Sequence, residues 1–405
     1  MTRYHATWVL PIAGRPIRDG WVDVEEGRVS AIGHSARPSA DAHDPGRVAI
    51  LPGLVNAHTH LELSHLHEHV PPSTDFVTWI RAVVAARRRD PDSHAAHLVE
   101  ATRKGIDEAV RCGTAVVGDI SNTLVPFELL IRSPLAAVVF YELIRFNAPD
   151  PVGFVEQASR HVSALTDTDR VRVSLAAHAP YSVAPEVFRA IRQAVDLNPN
   201  TPCSVHLSES ADEVEFIKTG GGQWRSFLED VGAWNPDWQP HGGSPVEYLD
   251  ECGFLSARVL AVHGVQMSAA DLARLAAHGT TLITCPRSNV RTGAGVPPVA
   301  EFYRSGVHVA IGTDSLASTP DLNVFAELAE LRRLAPEVPA SQLLDSATRQ
   351  GARALGFEAD YGTIEPGKRA RLLAVTVPDA VGDVEEYLVS GIQPEQIRWL
   401  DVGKS

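Results

Sequence analysis

Cysteine is scarce in this chain: four in 405 residues, at Cys112, Cys203, Cys252 and Cys285, far apart and with no CxxC spacing. That excludes a disulfide framework and a cysteine-built structural zinc site, and the expectation is free thiols in a reducing compartment. Positive charge is also short, with 36 Lys+Arg against 50 Asp+Glu and a formal net charge of −14. With no basic block, nucleic-acid backbone and anionic membrane are excluded as expected partners, which leaves a small-molecule substrate. No apolar run reaches the roughly 18 residues of a membrane span. The opening MTRYHATWVLPIAGRPIRDG lacks the basic-then-apolar layout of a signal peptide, so the expected location is cytoplasmic. Long polar tracts are missing too; with 44% hydrophobic and 21% charged residues the chain can bury a sizeable core.

What is present is a rhythm. Eight short apolar runs recur: VAILPGLVNAH, AVVGDI, AAVVFYE, VRVSLAAH, CSVHLSE, RVLAVHG, TLITCP and VHVAIGTD. Between them lie segments of helical spacing such as AAHLVEATRKGIDEAVR and AADLARLAAHG. Near-continuous apolar strands alternating with helices predict a parallel sheet, and eight of them predict an α/β fold of the (β/α)8 TIM-barrel class. Several runs end in His, Glu or Asp, as strands do when they deliver side chains to the active face of a barrel. The two ends read differently. Residues 1–50 carry an apolar piece at Trp8–Leu10, a turn expected at Arg18-Asp19-Gly20, the alternating WVDVEEGRVSAIG and a Pro/Asp/Ser-rich loop across 37–47. GTIEPGKRARLLAVTV at 362–377 and IRWL at 397–400 are similarly strand-like. The expected organisation is a barrel over 51–361 and one small β-sandwich built from 1–50 with 362–405, since chain ends are often close in space.

Two segments interrupt the rhythm: 61–92, with His65, His67, His69 and Arg87-Arg88-Arg89, and 219–246, with three of the seven tryptophans. Long, aromatic loops of this kind are expected to cap a site and exclude water.

The His58-Thr59-His60 pair closes the first run, and period-two alternation points both imidazoles the same way. His206, His263 and Asp314 stand at equivalent strand-end places. Neutral imidazoles with one carboxylate suit Zn²⁺ with a position left for water, whereas Ca²⁺ or Mg²⁺ would need a mostly oxygen shell; the ligand types leave Fe²⁺ and Mn²⁺ open. Glu209, three residues after His206, is placed to take a proton from water and return it to a ring nitrogen or leaving group. His178 can polarise or orient a substrate. His263 can either ligate the ion or hydrogen-bond to the attacking water; spacing does not choose between them.

The strings LPGLVNAHTHLE (51–62), HAPYSVAPEVF (178–188), HLSES (206–210), VHG (262–264), CPRSNVRTGAG (285–295), GTDSLAS (312–318) and GTIEPGKRARLLAV (362–375) resemble, in order, those of the amidohydrolase superfamily. The resemblance is to its aromatic deaminase and chlorohydrolase branch, which includes the methylthioadenosine/S-adenosylhomocysteine deaminases. It implies a (β/α)8 barrel with a split β-sandwich and one zinc held by His58, His60, His206 and Asp314. It implies Glu209 as proton shuttle, His263 against the attacking water, and Asp314 sharing in proton transfer. It further implies His178 near a purine and Arg145 near the sugar or its 5′ substituent. One departure is informative: relatives that deaminate nucleosides carry a Glu after a WL string in the first long loop to grip ribose, whereas WIRAVVAARRR stands here. Arg87 and Arg88 in that region imply an anionic group on the substrate, since guanidinium pairs with carboxylate in bidentate fashion. A second departure, RAR at 369–371 in place of a DAD-like string, falls in the β-sandwich. An adenine nucleoside bearing a carboxyphenyl group, 6-aminodeoxyfutalosine of the futalosine route to menaquinone, fits the anionic group implied by the arginines, with Trp224, Trp234 and Trp238 expected to supply aromatic surface. Deamination of adenosine, methylthioadenosine or S-adenosylhomocysteine, deamination or dechlorination of another aromatic heterocycle, and hydrolysis of cyclic amides are the alternatives. A non-enzymatic binding protein would require loss of the metal set, which is intact in the sequence. Homo-oligomerisation is left open.

Overall fold

The computed structural model of the chain describes residues 1–35, 42–198 and 201–400. Four strands open it: β1 (Thr2–Val9), β2 (Ile17–Glu25), β3 (Arg28–His34) and β4 (Val48–Pro52). Eight more follow: β5 (Leu54–Thr59), β6 (Thr114–Ser121), β7 (Ala136–Leu143), β8 (Val171–Ala177), β9 (Cys203–Leu207), β10 (Val259–His263), β11 (Thr281–Thr284) and β12 (His308–Ile311). The last two are β13 (Leu372–Thr376) and β14 (Ile397–Trp399).

Strands β5 to β12 form one parallel sheet in chain order, one strand from each of the eight runs read from the sequence. Every residue of β6 is buried, as is every residue of β5, β9 and β10, which is why these strands are near-continuously apolar rather than alternating. The sheet closes between its first and last members. Asp314 N–H donates to the carbonyl of His58 at 3.0 Å, Thr313 N–H to Asn56 Oδ1 at 3.0 Å, and Asn56 Nδ2 to Thr313 Oγ1 at 2.7 Å. Val55, Val116, Val138, Phe140, Val262 and Ile283 fill the inside, so the barrel is a packed core with its chemistry at one mouth. The helices read from the sequence form where expected, Ala96–Arg111 and Ala269–His278 among them. The second is held by a capping box between Ser268 and Asp271 and ended by Gly279 at φ +68°.

The remaining strands make a separate mixed sheet in the order β14-β13-β4-β1-β2-β3, so both chain ends meet in one small β layer beside the barrel, as expected of the split sandwich. Strand β13 lies antiparallel between β4 and β14. The first apolar run is thus two strands in two sheets, with Gly53 at the passage. A side chain there would meet Ala115 Cβ at 2.5 Å and the Trp399 ring at 2.9 Å, so the run cannot continue straight with any other residue.

Local readings differ at three places. Arg18-Asp19-Gly20 is inside β2; the reversal comes at Glu26-Gly27, where the positive φ of Gly27 (72°) serves the turn. Segment 61–92 is not a loop throughout: it holds a 3₁₀ turn, Leu61–Leu66, and the helix Phe76–Arg87. Segment 219–246 likewise contains the helix Gly222–Asp230. Part of the loop expected across 37–47 lies outside the described residues. Among the described residues no helix is long and apolar enough to cross a membrane.

Candidate metal-dependent active site

The barrel mouth gathers side chains from six strand ends. His58 lies on β5 and His60 just after it, Glu142 on β7, His178 one residue past β8, His206 on β9 and His263 at the end of β10. Asp314 follows β12, and Glu209 stands two residues past β9. Three of the backbone positions involved carry positive φ without being glycine: Ser208 (53°), His263 (79°) and Asp314 (62°). Non-glycine residues in this region cost about 1–3 kcal/mol each and concentrate where a site over-determines geometry.

The imidazoles of His58, His206 and His263 place ring nitrogens within 4.8 Å of one another, and so do those of His58 and His60 with an Asp314 oxygen. The two triads share His58. His60 Nε2 stands 3.4 Å and His58 Nε2 3.8 Å from Asp314 Oδ1, and His206 Nδ1 stands 3.0 Å from His263 Nε2. Both ring nitrogens of His58 are buried without a hydrogen-bond partner among the described residues. Buried polar atoms are rarely left so, and a cation among these nitrogens and the Asp314 carboxylate would satisfy them. Electrostatics agree. Burial, and then the neighbouring imidazoles, push His58 well below its ordinary pKa, and burial pushes His263 down to about 3 and His178 to about 4. Neutral imidazole is the form that binds metal. Burial disfavours the Asp314 carboxylate, but His60, His263 and the hydroxyl of Ser288, which donates to Oδ2 at 2.5 Å, outweigh it and hold the group below its ordinary range. The cluster is a site for a divalent metal cation.

Glu209 faces this cluster, its Oε1 3.5 Å from His263 Nε2. Burial, and next the charges of Asp314 and Glu213, raise its carboxyl well above the usual range, so it holds a proton readily. Its backbone is clamped: the Glu213 carboxylate accepts the N–H groups of Ser208 at 2.9 Å and Glu209 at 2.8 Å. His178 is held in orientation: its Nδ1 stands 2.6 Å from Ser182 Oγ, which also lies 3.1 Å from the Ala179 carbonyl, and the ring lines the cavity.

The cavity above these groups has a volume of about 290 Å³, and a neighbouring one of about 510 Å³ shares the wall formed by Val84, Arg87 and Arg88. Both interrupting segments roof the first cavity: Phe76 and Trp79 come from one, Trp224 and Phe227 from the other, with Trp224 stacked on Tyr181 at 3.6 Å between ring centroids. The arginines divide. Arg87 lines both cavities but is occupied, donating to Asn122 Oδ1 at 2.8 Å and Glu62 Oε1 at 3.1 Å. Arg88 lines both cavities, is exposed, and its side chain makes no ion pair or hydrogen bond among the described residues. Arg145 is outside the lining, exposed and stacked over Phe154 at 4.8 Å. Of the three tryptophans expected at the site only Trp224 reaches it; Trp234 packs on Phe146 and Trp238 on Phe216 in the apolar layer behind.

Several contributors escaped the sequence reading. Glu142 was visible only as the polar end of AAVVFYE. Glu62, Asn122, Ser288 and Asn289 act through contacts that no spacing reveals, although the last two sit inside the CPRSN string.

Fold and site together make the protein a metal-dependent hydrolase. Sequence comparison supplies the family: the amidohydrolase family model matches residues 49–392, and the chain belongs to that family. It is related to the branch of aminofutalosine and methylthioadenosine/S-adenosylhomocysteine deaminases. An aminodeoxyfutalosine deaminase of Deinococcus radiodurans is 33% identical over 84% of this chain and 82% of its own length. A 5-methylthioadenosine/S-adenosylhomocysteine deaminase of Moorella thermoacetica is 29% identical over 94% of this chain and 88% of its own. Among solved structures, Helicobacter pylori aminofutalosine deaminase in complex with methylthio-coformycin superposes with a TM-score of 0.84 at 25% identity, covering 98% of this chain and 97% of that one.

Proposed function

We propose that this protein hydrolytically deaminates the adenine ring of a nucleoside, with Zn²⁺ held by His58, His60, His206 and Asp314. The observation that carries this reading is Glu209, whose raised carboxyl takes up a proton more readily than an ordinary carboxylate, beside a cluster of imidazoles at the floor of an aromatic-roofed cavity. A relative from Xanthomonas campestris, described as an adenosine deaminase with bound zinc, is 26% identical over 98% of this chain and 90% of its own, with a TM-score of 0.81. The ion, when bound, supplies Lewis-acid polarisation and lowers the pKa of a water at the site from 15.7 toward about 7. The residues do the rest. Glu209 takes a proton from the attacking water and delivers it to the ring nitrogen beside the amino-bearing carbon. His263 steadies that water, Asp314 shares in the proton transfer, and His178 presents its ring to the purine. The C–N bond breaks as the second water proton leaves with the amino group as ammonia.

The favoured substrate is 6-aminodeoxyfutalosine. Its carboxylate needs a cation at the far end of the cavity, and Arg88 is the guanidinium there without another partner. Arg145, exposed and turned onto Phe154, is dropped from that role. The test is ammonia release from 6-aminodeoxyfutalosine beside adenosine, methylthioadenosine, S-adenosylhomocysteine, guanine and a chlorinated triazine. Arg88→Met should lower kcat/KM for the carboxylated substrate by roughly 10- to 150-fold, the worth of a charged hydrogen bond, and leave adenosine unchanged. Equal efficiency with and without the carboxylate would make the protein a general adenosine deaminase, and turnover of guanine or triazine alone would reject the adenine reading.

A further inference from the structure

The helix Pro286–Thr292, which follows β11, carries two side chains that reach the site. Ser288 donates its hydroxyl to Asp314 Oδ2 at 2.5 Å, and Asn289 Nδ2 stands 2.9 Å from His263 Nδ1. A helix of 7 residues is too short to hold its place by its own hydrogen bonds, and this one starts poorly. Cys285 at its N-cap makes no side-chain cap and Pro286 has no N–H, so the first donor left over is the Arg287 N–H. That donor is met from outside the helix: Glu327, fully buried on the helix Val324–Leu334, accepts it through Oε2 at 3.2 Å. The Arg287 side chain, 16% exposed, then reaches the segment that follows Asp314, donating to both oxygens of Asp321 at 2.7 and 3.0 Å. Asp321 is itself tied to the start of the next helix, where its Oδ1 accepts the Asn323 N–H at 3.0 Å. At the far end of the short helix, Gly293 (φ +84°) lies so close to the backbone of Thr74 and Asp75 that a side chain would meet it at 2.6 Å. Two clasps therefore join the same two segments side by side, Ser288 to Asp314 and Arg287 to Asp321.

We propose that Arg287 is a positioning residue. By clasping Asp321 it sets the separation of the helix Pro286–Thr292 from the segment after β12, so that the Ser288 hydroxyl meets Asp314 Oδ2 and leaves Oδ1 turned toward His60 and His58, 3.4 and 3.8 Å away. A bidentate guanidinium–carboxylate pair fixes direction as well as distance, which a lysine in the same place cannot do. The inference rests on the reading above that Asp314 binds the ion.

A double-variant cycle on the full chain tests it. Zinc affinity, read by competition with a chromophoric chelator, should fall 10- to 100-fold in Ser288→Ala, the usual loss when a ligand's hydrogen-bond partner is removed, and about 10-fold in Arg287→Met. Because Arg287 acts through Ser288, the two losses overlap, and the double variant should bind zinc at least about 5-fold more tightly than their product gives. Arg287→Lys, which can reach Asp321 with one donor, should recover part of the loss. The opposite wall of the cavity supplies the control: Arg87 donates to Asn122, whose Nδ2 donates to Glu142 Oε2 at 2.8 Å, a line that ends at Glu142. Arg87→Met combined with Ser288→Ala should therefore match the product of its parts. A merely structural Arg287 would lower the melting temperature with no coupling to Ser288. Circular dichroism of the metal-free variants checks the fold; should Arg287→Met not fold, Asp321→Asn takes its place in the cycle. Losses that multiply to within about 5-fold, or wild-type affinity in Arg287→Met, overturn the proposal. A wild-type protein without stoichiometric zinc overturns the metal reading itself, and this one with it.

Discussion

At the scale of single residues, the site works by keeping acid and base apart in pKa while holding them around one cavity. Asp314 is held below its ordinary range and Glu209 well above it, although both are buried, because Asp314 has imidazoles and the Ser288 hydroxyl for company whereas Glu209 has two carboxylates. One carboxylate is thereby suited to a cation and the other to moving a proton. Glu209→Gln keeps the volume and removes the proton site, so metal content should match wild type while kcat falls about 10²- to 10⁴-fold, the usual contribution of a placed acid/base group. Elemental analysis together with steady-state rates checks this; full turnover in a zinc-loaded Gln variant would strip Glu209 of the role. The residues that bear chemistry were legible in sequence because strand ends in a barrel converge whatever lies between them. The residues that orient them were not. Glu142 needs the closure of the barrel before it meets a histidine encoded more than sixty positions later, and Ser288 and Asn289 meet Asp314 and His263 only through the helix Pro286–Thr292 that follows β11.

At the scale of elements, a helix where a loop was expected alters what its arginines can do. The helix Phe76–Arg87 places Arg87 on its inner side, where Glu62 and Asn122 take up its donors, and ends in time for Arg88 to leave the helix toward the cavities. Arg87→Met should accordingly reduce activity on every adenine nucleoside alike, in contrast to the selective loss in Arg88→Met, since it unpins Asn122 and with it Glu142. Parallel kcat/KM measurements on one carboxylated and one neutral substrate separate the two. Another element-scale test lies away from the site. Glu327, fully buried on the helix Val324–Leu334, accepts the Arg287 N–H at 3.2 Å, and burial, opposed by Arg287, raises its carboxyl from 4.5 to about 8. The folded state then binds a proton that the unfolded chain has released. Its stabilising contribution is complete below pH 4.5 and is lost as pH rises through about 8. Thermal melts across that window should fall more steeply for wild type than for Glu327→Gln, which has no proton to lose. Parallel curves would assign the pH dependence to other groups.

At the scale of the whole molecule, the barrel, closed by its own eight strands, is joined to a β layer that draws on a chain end hundreds of residues from the first barrel strand. The eight-run rhythm made the barrel legible, since a strand buried on both faces leaves an apolar run with few alternatives. The pairing of β4 with β13 was legible only as two β-rich ends, because register depends on which backbone edges are left open after the barrel forms. That pairing is structural in consequence. Leu373 and Val375 of β13, with Leu388, Val389 and Ile392 beyond it, pack with Leu10, Leu51 and Leu328 in a cluster bridging the mixed sheet and the helices around the barrel. Each such side chain contributes about 1.5–3 kcal/mol by burial, so losing five removes roughly 7.5–15 kcal/mol, comparable to the whole of the about 5–15 kcal/mol by which a domain is usually stable. We propose that the barrel and the mixed sheet fold as one cooperative unit. A chain ending at residue 361 should therefore be insoluble or lack a cooperative melt, although every metal and acid/base residue is present. Supplying residues 362–405 as a separate co-expressed polypeptide should restore solubility and metal binding, because β13 needs only the edges of β4 and β14 to seat. A truncated chain that melts cooperatively and binds zinc like the full protein would mean that the barrel is independent of its β layer.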